Sequence, residues 1–110
     1  MQSLILALIF LATTPIAQNS SVTLTEPEQK RLEQFAPQTL KKIQKSAPLN
    51  VQDVILMTRQ GLPDKLIIEI IEKTSSTFFL HTSDIKEMRQ MGVSQKVIEK
   101  MSETGKYNYS

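Results

Sequence analysis

Two aspartates, Asp53 and Asp84, and the single histidine, His81, are the side chains of this 110-residue chain best suited to proton chemistry. A carboxylate pair facing one substrate divides general acid and general base roles, and a histidine beside Asp84 could polarise Thr82 or Ser83. Their spacing argues against both uses. Asp53 and Asp84 stand thirty-one residues apart at matching positions of an internal repeat, so they fall on different structural units. The run His81, Thr82, Ser83, Asp84 has the composition of a helix cap and first turn. With no cysteine and one histidine, the chain lacks the ligands for thiolate or two-histidine metal sites and has no thiol nucleophile. Met57, Met88, Met91 and Met101 read as core filler. The expectation is a non-enzymatic protein with no metal and no cofactor.

The repeat appears when the chain is slid against itself by thirty-one residues, which aligns LNVQDVILMTRQGLPDKLIIEI with LHTSDIKEMRQMGVSQKVIEKM without a gap. Six of the twenty-two positions are identical: Leu49 and Leu80, Asp53 and Asp84, Met57 and Met88, Gly61 and Gly92, Lys65 and Lys96, Ile67 and Ile98. Composition alone would give about one or two. Each unit reads as helix, glycine corner, helix. Asn50 and His81 are the expected N-caps, with Asp53 and Asp84 three residues on, where a carboxylate answers free N–H groups and the positive end of the helix dipole. Leu49 with Val54, and Leu80 with Ile85, have the spacing of a hydrophobic staple. Gly61 and Gly92 suit the left-handed residue after a helix, and Leu62 and Val93 can then close on Met57 and Met88. Leu66, Ile67, Ile70 and Ile71, and Val97, Ile98 and Met101, form inward stripes at helical spacing. Phe78 and Leu80, after the Ser75–Ser76–Thr77 loop, are expected in the core, as is most of this aromatic-poor chain's aromatic surface.

Upstream, Thr25-Glu26-Pro27-Glu28 has the form of a capping box that opens a helix to about Phe35. Pro37 interrupts it, Leu40 and Ile43 resume an apolar stripe, and Pro48 ends the segment. Residues 1–25 carry no charge, and Leu4 to Ala12 is an unbroken apolar run followed by Thr13, Thr14, Pro15, Ile16 and Ala17. This is the h-region and exit of a secretory signal peptide, too short for the roughly twenty residues of a spanning helix. The sequence therefore divides into a signal peptide or short anchor (1–17), a polar tail (18–24), an N-terminal helical segment (25–46), a duplicated hairpin domain (49–104, as 49–74 and 80–104) and a flexible tail (105–110). The fold class is all-α: a small bundle of two tandem helical hairpins plus one or two short N-terminal helices. Export, periplasmic or secreted, is the expected location, with anchoring by an uncleaved N-terminus as the alternative.

The pattern of residues 49–101, Asp, Val or Ile, Met, then Gly-Leu or Gly-Val, then Leu-Ile or Val-Ile, resembles duplicated hairpins of uncharacterised exported or lipoprotein-type bacterial envelope proteins. That resemblance implies an all-helical envelope module without a known reaction; the chain departs from the lipoprotein versions in having no anchoring cysteine. MRQMGVSQKVIEKM is also similar to the first two helices of ubiquitin-associated domains, although no third-helix signature follows. Gly92, Val93, Ser94 with Val97, Ile98 and Met101 is similar to the turn and second helix of a repressor-type helix-turn-helix. Such motifs want a small residue four positions before the glycine, where this chain has Met88 and Met57.

Thirteen basic against eleven acidic residues, net +2, are too balanced for nucleic acid or a polybasic membrane patch. The expected role is contact with a protein partner or with a second copy, with a membrane involved only if the N-terminal segment is retained; an intracellular helix-turn-helix nucleic-acid binder is the alternative. Lys65 and Lys96 are repeated although a cation near a helix start opposes the dipole, which leaves two readings, a pair of solvated lysines or a repeated partner contact. Ile55, Leu56 and Ile68 align with Lys86, Glu87 and Glu99 of the second unit, so the first hairpin is apolar where its twin is wet. Leu32, Phe35, Leu40 and Ile43 are expected to cover that face, or a second copy does.

Overall fold

The computed structural model describes residues 22–106; the proposed signal or anchor, the start of the polar tail and residues 107–110 lie outside them. Six helices follow in chain order: α1 (Glu26–Phe35), α2 (Pro37–Lys45), α3 (Val51–Arg59), α4 (Asp64–Lys73), α5 (Thr82–Gln90) and α6 (Gln95–Lys106). Among the described residues there is no strand, and the protein is a small all-α bundle in which α3–α4 and α5–α6 form the tandem hairpins.

Local chemistry fixes the helix starts. In α1, α3 and α5 the carboxylate of the third helical residue accepts the N-cap backbone N–H at 2.9 Å, from Thr25 to Glu28, Asn50 to Asp53 and His81 to Asp84. Four residues beyond each carboxylate stand Leu32, Met57 and Met88, all with no exposed surface. The N-terminal pair α1–α2 is thus a third hairpin built on the same plan. An ungapped slide misses it because Thr25 precedes Asn50 by twenty-five residues rather than thirty-one, and its corner is the single residue Ala36.

The ends of α2, α3, α4 and α5 obey one geometry. Gly61 and Gly92 have φ of +83° and +91°. The Leu62 N–H donates to the Met57 carbonyl at 3.1 Å and the Val93 N–H to the Met88 carbonyl at 2.9 Å, the long bond of a Schellman ending. Ser46 and Ser75 close α2 and α4 in the same way with φ of +55° and +52°, a left-handed serine being tolerated where glycine would be easier. Pro63 is the N-cap of α4 and gives it no side-chain bond, whereas Ser94 Oγ accepts the Val97 N–H at 3.2 Å at the start of α6.

The hairpins stack in order. Helix α2 packs on α3, α3 on α5 and α4 on α6, so the middle hairpin has a neighbour on both sides. The core runs through the stack, from Leu32, Leu40 and Ile43 through Val54, Ile55, Met57, Ile67, Ile70 and Ile71 to Met88, Val97, Ile98 and Met101. The inter-hairpin linkers are fastened together. The Leu49 N–H donates to Ser76 Oγ at 2.8 Å, and Ser76 Oγ is 2.6 Å from Thr74 Oγ1.

Three expectations are corrected. Phe35 is 55% exposed rather than covering α3, because α1 turns Leu32 and Ala36 inward. Phe78 is buried as expected, but Leu80 is only half covered and Phe79 is 52% exposed. Residue 105 belongs to no flexible tail. Helix α6 runs to Lys106, Thr104 Oγ1 accepts the Phe78 N–H at 2.9 Å, and buried Gly105 lets the Phe78 carbonyl approach where a Cβ would collide with it.

Candidate functional site

The most elaborate polar cluster lies between α2 and α3 and is centred on Asp53. This carboxylate is 4% exposed. Its Oδ1 accepts the Thr39 hydroxyl at 2.6 Å, and its Oδ2 accepts both the Lys42 ammonium at 2.7 Å and the Asn50 N–H at 2.9 Å. Asn50 Oδ1 in turn accepts the Asp53 N–H at 2.9 Å. Burial pushes the Asp53 carboxyl up, but Lys42, Thr39 and the Asn50 N–H together outweigh it and hold the group below the ordinary aspartate value. An aspartate kept ionised by three donors is a tether between hairpins, poorly suited to accept a proton from a substrate.

Asp84 occupies the same place in the second unit with different surroundings. Among the described residues it takes the His81 N–H and makes no side-chain bond to a second helix. Asp53 and Asp84 are therefore not brought together, and His81 stands exposed at the cap of α5. Among the described residues no group of three histidine, cysteine, aspartate or glutamate side chains could hold a metal ion.

The proposed contact residues separate into two sets. Ile55 is enclosed while its counterpart Lys86 is exposed, because α3 has neighbours on both sides and α5 on one. Leu56 and Ile68 are only half covered. Ile68 borders a shallow depression of about 250 Å³ with Lys96 and Lys100, and Lys100 pairs with Glu72 of α4 at 2.9 Å. Lys65 and Lys96 are exposed at the second position of α4 and α6. They make no ion pair among the described residues.

The corners stack as the hairpins do. Arg31 of α1 donates from Nε to the Gln60 carbonyl at 2.7 Å, and its Nη2 lies 3.8 Å from where a Cβ on Gly61 would stand. One layer on, Thr58 holds the same relation to Gly92 at 3.9 Å. The outer face of the last hairpin carries an open cleft of about 360 Å³ with Ile85 and Ile98 beside Arg89, Glu99, Ser102 and Glu103. Its polar rim is what a terminal unit of a stacked array needs to stay in water.

Sequence reasoning missed Thr39, Lys42 and Arg31, which act across hairpins. The one signal available was the apolar Ile55 in place of Lys86, which called for a cover over α3 without saying which polar groups would come with it.

The chain matches no protein-family model, no curated protein and no solved structure. Among the described residues no helix is long and apolar enough to cross a membrane.

Proposed function

We propose that the chain is an exported, non-catalytic helical module that acts through protein contacts at the cell envelope. The observation that carries this reading is the use of its reactive groups: Glu28, Asp53 and Asp84 are all helix-start carboxylates, and Asp53 is also the tether to α2. What remains on the surface is a stack of hairpins with exposed side chains, the architecture of α-helical repeat proteins that bind other macromolecules. The apolar run Leu4 to Ala12 supports the location. Packing of α4 against α6 along with the Lys100–Glu72 pair supports a protein-contact reading over a nucleic-acid one, because the second helices face each other rather than standing free for a groove.

The test is the N-terminal mass of the protein recovered from fractions of its native host. A chain beginning near Gln18 in the exported fraction is the expected result. An intact N-terminus confined to the cytosol would end the envelope reading.

A further inference from the structure

The surfaces of the stack are unequal. Its two ends carry charges of both signs, with Glu26, Lys30 and Glu33 beside Leu24 at one and Arg89, Glu99 and Glu103 around Ile85 and Ile98 at the other. At the linker edge the carboxylates Glu28, Asp53 and Asp84 are taken by caps, and Lys42 by Asp53. The corner edge differs. Residues 31–38, 58–65 and 89–96 carry Arg31, Arg59, Lys65, Arg89 and Lys96 against Glu33 and Asp64, with Glu99 and Glu103 of α6 beside Arg89 and Lys96, although the whole chain is nearly balanced. Arg59, Lys65, Arg89 and Lys96 are exposed and form no ion pair among the described residues. Phe35, 55% exposed, and the half-covered Met91 stand at the first and last corners of the same edge.

Adjacent helices pack about 8–10 Å apart, so these charges form a row across successive corners rather than a pocket. A row of cations without ion pairs among the described residues, with an exposed aromatic beside it, fits a planar anionic surface. It fits duplex DNA less well, because Phe35 and Met91 have nothing to do against a phosphate backbone. The repeated lysines add to this: Lys65 and Lys96 each sit at the second position of a helix, against the dipole, which is an unfavourable place for a cation without an outside use.

We propose that this corner edge, Arg59, Lys65, Arg89 and Lys96 with Phe35 at its end, docks on an anionic lipid bilayer. The inference stands apart from the protein-contact reading, which survives if it fails.

The experiment compares flotation of the full chain with vesicles of phosphatidylcholine alone and of phosphatidylcholine mixed with phosphatidylglycerol. The apolar run at residues 4–12 partitions into both, so the difference between them is the readout. Each basic residue near a charged leaflet contributes about fivefold in binding. The triple variant Arg59→Gln, Lys65→Gln, Lys96→Gln should therefore lose roughly a hundredfold of the preference for anionic vesicles. Lys30→Gln, Lys45→Gln, Lys73→Gln removes the same charge away from the corners and should keep that preference. Phe35→Ser should weaken binding severalfold while leaving its salt dependence intact, and circular dichroism checks that every variant is folded. Equal losses in the two triple variants, or no preference for anionic vesicles in the parent chain, would overturn the proposal. So would corner-dependent binding to duplex DNA or to polyglutamate without a preference for anionic vesicles.

Discussion

Asp53 and Asp84 share a position in the repeat and differ in what surrounds them, which makes the pair of substitutions Asp53→Ala and Asp84→Ala an internal measurement of tertiary work. Both remove the acceptor for an N-cap N–H, a loss of about 1 kcal/mol. At Asp53 the change also strands the Thr39 hydroxyl, whose residue is 1% exposed, and an unsatisfied buried donor costs about 1–3 kcal/mol. Lys42 adds little, since its side chain is 32% exposed and its ammonium can turn to water. The expected losses are then about 3 kcal/mol for Asp53→Ala and about 1 kcal/mol for Asp84→Ala. In a domain of this size that difference separates the two melting temperatures by roughly 10 °C. Urea and thermal unfolding followed by circular dichroism at pH 7 measure it, and Thr39→Val placed in the Asp53→Ala background should recover about 1 kcal/mol by removing the stranded hydroxyl. Equal losses at the two aspartates would show that Thr39 and Lys42 add nothing to the Asp53 cap. The titration of Asp53 supplies a second check. Because its folded value lies below the ordinary 3.8, its contribution is complete above that pH and disappears as the pH falls through the folded value. Asp53→Ala should therefore flatten the acid limb of the stability curve.

Gly61→Ala and Gly92→Ala, each at positive φ with nothing closer than 3.8 Å, should lose about 1 kcal/mol apiece from backbone strain, and unchanged urea midpoints would contradict the corner geometry. Gly105→Ala should behave differently: alanine is ordinarily favoured in a helix, but the Phe78 carbonyl blocks its Cβ, so unfolding measurements should show a loss of about 1–3 kcal/mol rather than a gain. Removing residues 18–47 strips α1 and α2 from α3, leaving Asp53 without Thr39 and Lys42. The truncated chain should unfold at markedly lower temperature or self-associate in size-exclusion chromatography, and a monomer as stable as the parent would show that the cover is dispensable.

The capping boxes, glycine corners and apolar stripes were legible because each is written within about eight residues of chain and depends on backbone geometry that any helix end shares. Leu49, Asn50, Asp53, Met57 and Gly61 specify a helix with both ends marked, and Leu80, His81, Asp84, Met88 and Gly92 do so again. The left-handed Ser46 and Ser75 were not legible, since serine carries no such preference and adopts φ near +55° only because the packed helices require the chain to turn there.

The local units follow from the order of residues alone: an all-α chain, a duplicated hairpin, the helix starts and the glycine corners. The need for a cover over Ile55 was also visible there, as a conflict between an apolar position and its charged twin. The tertiary structure alone decided that Asp53 is a tether while Asp84 is only a cap, that Phe35 points out while Leu32 points in, and that basic residues scattered along the chain line one edge. The physical reason is range. A cap joins groups three residues apart, whereas Thr39 and Asp53, or Arg31 and Gly61, meet only after hairpins have stacked, and the stacking order depends on the sum of many weak apolar contacts.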